Sequence, residues 1–425
     1  MKISNHHMQL LADEYSTPLF LYDGDFLKEH ILNIQKLLHP AVEIFFSLKS
    51  NGSLGIASLI NSFGCGIEVA SQGELFLAIQ AGYDSQDIVF SGPGKKPCEL
   101  EYAIKQNIYC IITESLEELL IISNLAEEHN VIVPIGLRIN PDSDLAKTSI
   151  KMAGVPRQFG VDENQIPLFL EEIKKTPNIS FRGIHVYTGT QILDYEQIIS
   201  TFSYTLKLAK YIKVNFGIEC EMVDLGGGLG VPYFSHENEL NLSALSSELR
   251  NLIDDYLLFS PKTRFILESG RYILAESGTY ITKVLYKKHS KGEIFLVVDG
   301  GLNHHAAATF RGRTLRNTFP MILIKKDDLD PITTEKVSVV GPLCTPEDCL
   351  AKGIILPIAQ PGDYLCIQKS GAYTLTYSPM RFLGHATPLE LLVFNGETYI
   401  IREPGKMEDI LRGQHKIIFQ VGEYL

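Results

Sequence analysis

The amino-acid sequence predicts an α/β protein, a (β/α)8 barrel followed by a mostly antiparallel β domain. Three observations carry that prediction. From about residue 24 to 270, eight short β-rich runs alternate with amphipathic stretches, and such alternation builds a parallel sheet clad in helices. After about residue 270, β-rich runs follow one another, mostly without long helical stretches between them. No low-complexity linker or internal repeat separates the two parts, so the joint is packed rather than tethered. The expected division is 24–270 for the barrel, and 1–23 with 271–425 for the β domain. An open doubly wound sheet satisfies the same periodicity, and the alternation alone leaves both open.

The candidate barrel strands are Glu43–Ser47, Gly66–Val69, Ile88–Phe90, Ile108–Ile112, Val133–Ile139, Arg182–Val186, Met222–Leu225 and Arg264–Leu267. All are short and rich in aliphatic and β-branched residues. Helical patterns lie between them, among them Leu116–His129, Tyr195–Val214 and Leu242–Tyr256. Ser115 stands ahead of Leu116 with Glu118 three residues on, a capping-box start. Beyond residue 270 the runs Tyr280–Lys287, Glu293–Val298, Lys336–Val340, Tyr364–Gln368 and Glu390–Phe394 read as strands. Pro361-Gly362-Asp363 and Asn395-Gly396 read as turns.

Composition narrows the function. The chain has 425 residues, 45% hydrophobic and 21% charged, enough for two cores. A net charge of −12 sets nucleic acid and anionic membrane surfaces aside as partners. No run approaches the roughly 18 apolar residues of a membrane span, and residues 1–16 lack a signal-peptide core. The seven cysteines are an odd number without framework spacing, which reads as reduced thiols in a cytoplasmic protein. No CxxC or HExxH occurs, and the pairs His6-His7 and His304-His305 are sequence neighbours that do not share a face. A metal site is therefore not expected.

The chemistry-bearing residues sit where strands end. Lys49 closes the run Glu43–Asn51, and the carboxyl end of a barrel strand opens onto the active site. An amine there suits a Schiff base with pyridoxal phosphate; a lysine snorkelling to water fits the same position. Gly226, Gly227 and Gly228 follow the seventh strand, where barrels bind phosphate, although a tight turn also explains them. They are not a Rossmann fingerprint, because Val231 stands where the last glycine belongs. Glu268 and Arg271 end the eighth strand. A carboxylate there keeps a pyridine nitrogen protonated and an arginine forks onto phosphate, while an ion pair between domains is the plainer alternative. His185 ends the sixth strand as a ring-stacking group or a satisfied core histidine. Glu68, Ser71 and Glu74 follow the second strand, with Glu74 also readable as a first-turn acid. Cys344, after Gly341-Pro342, is a proton donor or a small buried hydrophobe. Tyr373 follows Gly371-Ala372, where a phenol suits a phosphate.

Taken together, the segments LKSN (48–51), EVASQGEL (68–75), HVYTGTQ (185–191), LGGGLG (225–230), ESGR (268–271), GPLCTPED (341–348) and GAY (371–373) resemble fold-type III, alanine-racemase-like pyridoxal phosphate decarboxylases. That is the family of diaminopimelate and ornithine decarboxylases, and the resemblance spans nearly the whole chain. It implies that Lys49 holds the cofactor, His185 stacks on its ring and Glu268 binds the ring nitrogen. It also implies cofactor contacts from Glu68, Thr190, Gly226, Gly227, Gly228, Arg271 and Tyr373. The enzyme would be a homodimer, with Cys344 donated across the interface as general acid. SGPGKK (91–96), KMAGVPRQFG (151–160) and DGGLNHHAAATFRGR (299–313) resemble the branch of the family that decarboxylates glutamate tethered to an acyl carrier protein. Diaminopimelate enzymes carry an arginine and a glutamate where this chain has Ala307 and Thr345, and both charges grip the distal end of a free diamino acid. The expected substrate is therefore carrier-bound, with Arg311, Arg313, Thr345 and Tyr373 as substrate contacts. Arg311, Arg313 and Arg316 suit an acidic carrier or the pantetheine phosphate, or form an ordinary solvated basic loop. Other readings are a siderophore-intermediate decarboxylase, a free amino-acid decarboxylase and a non-catalytic cofactor carrier. The last of these lacks a β domain in its known forms.

Overall fold

The computed structural model describes residues 2–142, 156–309, 318–326 and 333–417. After an N-terminal helix (Asn5–Tyr15), β1 (Leu19–Asp23) enters a sheet completed only much later in the chain. The barrel strands follow: β2 (Val42–Ser47), β3 (Gly66–Val69), β4 (Ile88–Phe90), β5 (Cys110–Thr113) and β6 (Val133–Asn140). A two-residue β7 (Val161–Asp162) pairs with the end of β6. Then come β8 (Ile179–His185), β9 (Met222–Asp224) and β10 (Arg264–Ser269). Each of β2 to β6 and β8 to β10 pairs in parallel with its neighbour, and β10 closes onto β2. The result is a closed eight-stranded barrel; the open-sheet alternative is excluded.

Alternate residues fill the barrel. Phe45, Val89, Cys110, Ile112, Met222 and Ile266 point inward as one buried cluster, so the interior is a packed core rather than a pore. Gly66 makes room for it, since a Cβ there would lie 2.5 Å from the Phe45 ring. The larger core lies between strands and surrounding helices, where Ile67, Val69, Ile111, Ile135, Leu137 and Ile184 meet helix residues such as Leu75, Leu119, Ile122 and Leu249.

The second sheet runs β15-β14-β12-β11-β1-β17-β18, with β16 on β11 and β13 on β16. Its strands are β11 (Gly278–Ser290), β12 (Glu293–Val298), β13 (Met321–Ile324), β14 (Thr334–Val340), β15 (Cys349–Pro357), β16 (Tyr364–Ile367), β17 (Leu389–Phe394) and β18 (Glu397–Arg402). Most pairings are antiparallel; β1 with β17 and β12 with β14 are parallel. β1 thereby locks the chain's beginning to its end.

Four of these strands, β1, β13, β15 and β18, were not expected from the sequence. β15 is interrupted by Lys352-Gly353, and β18 is an edge strand whose Tyr399 and Ile400 are exposed, so neither shows clean alternation. The fourth barrel strand begins at Cys110 rather than Ile108, because the Tyr109 N–H bonds the Ser85 carbonyl instead of a strand partner. The sixth stops at His185, one residue before Val186. Ser115 caps its helix by accepting from Glu118 N–H at 3.1 Å. The reciprocal bond goes to Glu114 N–H (2.8 Å), one residue ahead of the cap.

Candidate active site

The carboxyl ends of the strands surround a small polar recess. It is lined by Ser47, Lys49, Tyr187, Thr190, Gly228, Glu268, Ser269, Arg271 and Tyr373, among others. Wider grooves exist at the opposite end of the barrel, such as that between Val131–Ile132 and Lys175–Asn178. Their linings bring together no buried titratable cluster, so the chemistry lies in the recess.

Lys49 sits in a single 3-10 turn (Leu48–Ser50), two residues past β2, with 40% of its side chain open. Its Nζ contacts both oxygens of Glu68, at 3.0 and 2.9 Å. Glu68 ends β3 on the neighbouring strand, is buried, and also accepts from the Ser91 hydroxyl. Burial pushes the Glu68 carboxyl up, but Lys49 and Ser91 outweigh it and the net shift is downward. Burial likewise opposes charge on Lys49, yet Glu68 and then Glu268 hold it strongly protonated. Before any ligand arrives the pair is an ion pair.

His185, Asp224 and Glu268 end β8, β9 and β10 and lie side by side, with one ligand atom from each all within 4.8 Å of one another. All three are buried. His185 Nε2 stands 3.7 Å from Glu268 Oε1, beyond hydrogen-bond reach. Among the described residues, both ring nitrogens of His185, Oε1 of Glu268 and Oδ2 of Asp224 have no hydrogen-bond partner. Burial, then the charges of Arg138, Lys49 and Lys95, drive the His185 pKa well down, so the imidazole is neutral. Burial, then Asp224 and Glu68, push Glu268 well up. Asp224 is pushed up to about 7 by burial, against the pull of its bond from Gly226 N–H. Two buried carboxyls and a neutral imidazole with open valences are chemically incomplete. Of the three, the sequence pointed to His185 and Glu268 but not to Asp224, which lies about 40 residues from each and joins them only when the barrel closes.

The glycines lie beside this cluster. Gly226 and Gly228 have φ of 66° and 92°. A Cβ on Gly227 would fall 2.0 Å from the Glu268 carbonyl. The N–H groups of Gly227 and Gly228 have no acceptor among the described residues. Arg271 lies under two rings, 4.5 Å from the Tyr373 centroid and 5.8 Å from that of Tyr233, and donates to the Tyr233 hydroxyl at 3.2 Å. Its Nε has no partner. Among the described residues no carboxylate pairs with Arg271 across the joint. Tyr373 is held in the left-handed region (φ 55°) by its N–H bond to the Ser50 carbonyl. Ser71 and Glu74 prove structural: Ser71 accepts from Glu74 N–H, and Glu74 accepts from Ala70 N–H.

Cys344 and Thr345 do not join this group. They ride an exposed loop between β14 and β15, anchored by Asp348, which accepts from Leu302 and Leu343 N–H. Arg311, Arg313 and Arg316 lie outside the described residues, as does the first half of the KMAGVPRQFG segment. Sequence reading missed Arg138, at the end of β6, whose guanidinium stacks 4.8 Å from Phe159 and bonds Glu114 at 3.4 Å. Its position at a strand end was the available signal. Sequence reading also missed Tyr187, inside the HVYTGTQ segment, and Tyr233, which packs against Arg271.

Residues 25–275 match the family model described as "Pyridoxal-dependent decarboxylase, pyridoxal binding domain". The chain is 46% identical over 97% of its length, and 97% of the relative's, to L-glutamyl-[BtrI acyl-carrier protein] decarboxylase of Niallia circulans. It is 33% identical to diaminopimelate decarboxylase of Helicobacter pylori strain J99, over 95% of this chain and 96% of that one. Among solved structures, Helicobacter pylori diaminopimelate decarboxylase complexed with L-lysine matches with a TM-score of 0.85 at 32% identity, covering 95% and 98% of the two chains. By its fold, its strand-end lysine and these similarities, the chain belongs to the pyridoxal-dependent decarboxylases, carboxy-lyases whose cofactor is pyridoxal phosphate.

Proposed function

We propose that this enzyme removes the α-carboxyl of L-glutamate held as a thioester on an acyl carrier protein, leaving a 4-aminobutyryl carrier. The observation that carries the substrate is the 46% identity, end to end, with a relative bearing that name, against 29–33% for the diaminopimelate decarboxylases. Ala307 and Thr345 support it, since neither offers a charge to the distal end of a free diamino acid.

The recess fits the cofactor on its own evidence: orphaned polar atoms at His185, Glu268, Asp224 and Arg271, and a glycine cradle that a side chain would fill. Pyridoxal phosphate, when bound, supplies an electron sink for the pair left behind as carbon dioxide departs. Lys49, which Glu68 holds protonated in the cofactor-free enzyme, would be the attachment point. Neutral His185 would offer a flat uncharged face to the ring. Glu268 would meet the ring nitrogen, and its raised proton affinity would keep a proton on that contact. Gly226, Gly227 and Gly228, with Thr190, Arg271 and Tyr373, would hold the phosphate. The α-carbon is reprotonated by the partner subunit's Cys344 in a homodimer, which is consistent with the exposure of Cys344 in a single chain and its absence from that chain's own recess. Arg311 and Arg313 meet the carrier or its pantetheine arm. The absence of a disulfide among the seven cysteines fits a cytoplasmic enzyme; no described helix is long and apolar enough to cross a membrane.

Mass spectrometry after incubation with glutamyl-loaded carrier, free glutamate, lysine, ornithine and diaminopimelate tests the substrate. Loss of carbon dioxide from the carrier-bound glutamate alone is expected. Turnover of a free diamino acid with none of the carrier overturns the reading.

A further inference from the structure

The candidate cofactor groups come from both sheets. The Lys49 turn follows β2 of the barrel, and the Tyr373 loop follows β16 of the second sheet. Asn51 ties the two. Its Nδ2 donates to the Tyr22 hydroxyl (2.9 Å) and to the Gly371 carbonyl (3.0 Å), and its Oδ1 accepts from Ser53 N–H (3.0 Å). Beside it, Tyr373 N–H donates to the Ser50 carbonyl at 2.7 Å. Both amide protons and the amide oxygen of Asn51 are thus engaged, so a flipped amide loses all three bonds.

The orientation of this amide is set from outside the recess. A tyrosine hydroxyl has one proton, and Tyr22 gives it to Glu390 Oε1 at 2.8 Å. Its lone pairs are then free to accept from Asn51. Glu390 is buried, and its other oxygen accepts from Nε of the part-exposed Arg402. Burial, reinforced by Glu390, holds the Tyr22 phenol well above its usual pKa, so it remains a donor at every working pH. The direction of each bond follows: Arg402 to Glu390, Tyr22 to Glu390, Asn51 to Tyr22 and to Gly371.

We infer that Tyr22 and Glu390 are positioning residues for the cofactor site: they orient Asn51, and Asn51 clamps the Lys49 turn to the Tyr373 loop at the spacing the cofactor needs. Neither lines the recess. The inference rests on the assignment of Lys49 and Tyr373 to the cofactor, which chemical labelling of Lys49 tests separately. The second sheet thereby has a task inside each chain in addition to any task at an interface.

A purely structural role predicts something different, and an internal control exists. Tyr364 is also buried in the second sheet and donates to Asp13 at 2.6 Å, in the cluster beneath the N-terminal helix. Tyr22→Phe deletes a buried tyrosine–carboxylate bond and Tyr364→Phe a part-buried one, but only the first reaches the Lys49 turn. The full-length holoenzymes are compared by melting temperature, by the rate of pyridoxal phosphate release after gel filtration, and by KM for the cofactor. Tyr22→Phe strands a buried amide N–H and is expected to release cofactor about tenfold faster. Its KM for pyridoxal phosphate should rise while kcat at saturating cofactor changes much less. Tyr364→Phe should release at the wild-type rate even where its melting temperature falls as far. Glu390→Gln keeps an acceptor for Tyr22 but removes its charge, so its release rate should fall between wild type and Tyr22→Phe; it also serves if Tyr22→Phe does not fold. Equal release from the two tyrosine variants, or an unchanged rate in Glu390→Gln where Tyr22→Phe is unavailable, overturns the inference.

Discussion

At the residue scale the recess is governed by burial working against charge. Lys49 and Glu68 resolve the conflict by pairing, Glu268 and Asp224 by holding protons, and His185 by staying neutral. Lys49 is accordingly the lysine that borohydride should label: reduction of the holoenzyme followed by peptide mapping is expected to place the pyridoxyl group there, and a label elsewhere sinks the assignment. Asp224 makes a separate prediction for the cofactor-free enzyme. Its native pKa is raised to about 7, against about 3.9 when unfolded. Between those values the unfolded chain binds fewer protons than the native one, so stability falls as pH rises from about 4 to about 7 and stays low above it. Asp224→Asn keeps an oxygen for Gly226 N–H and removes the titration. Its melting temperature at pH 8 should exceed that of the parent, on the order of a few kcal/mol in stability, with little difference at pH 4. Parallel profiles for the two proteins would show that Asp224 does not titrate in this window.

At the scale of elements, the site depends on how strands end. Lys49, Glu68, His185 and Glu268 all stand at or just past the carboxyl ends of parallel strands, and the glycine loop turns back against β10. Gly227 faces the Glu268 carbonyl, where an added methyl carbon would sit 2.0 Å from that oxygen. Relief requires moving β10 or the loop, since both contacts are backbone. Gly227→Ala should therefore lose most bound cofactor, read from the absorbance of the purified protein, and lose about 1–3 kcal/mol of stability through overpacking. Normal cofactor content in that variant would show that the loop has slack. Strand positions were legible because each barrel strand is a compact apolar run, whereas β15 and β18 lie at the ends of their sheet and carry mixed residues.

At the scale of the whole molecule, the loop bearing Cys344 is built in one place and its proposed work is done in another. Asp348 fastens that loop to the backbone of residues 302 and 343 in its own chain, leaving the thiol exposed. If the recess is completed across a two-fold axis, Lys49→Ala and Cys344→Ala chains, each nearly inactive alone, should recover activity when mixed. Random exchange makes half the dimers hybrid, each with one intact site of two, so about a quarter of wild-type activity is expected. No recovery after confirmed subunit exchange would place both groups in the same chain.

What the sequence by itself determined were the features written locally. Apolar periodicity marked all eight barrel strands, Ser115 marked a helix start, and short motifs marked Lys49, the glycine loop, Glu268, Arg271 and Tyr373, each legible within about ten residues. What only the tertiary structure decided were relations between distant segments. Barrel closure brings Glu68 onto Lys49 from the next strand and sets His185, Asp224 and Glu268 beside one another across some 80 residues of chain. The same folding pairs β1 with β17 and so delivers Tyr22 and Glu390 to Asn51. Periodicity reports which face of a segment is buried, but not against what. Proton affinities and hydrogen-bond directions depend on the identity of that neighbour, so they appear only once the chain has folded.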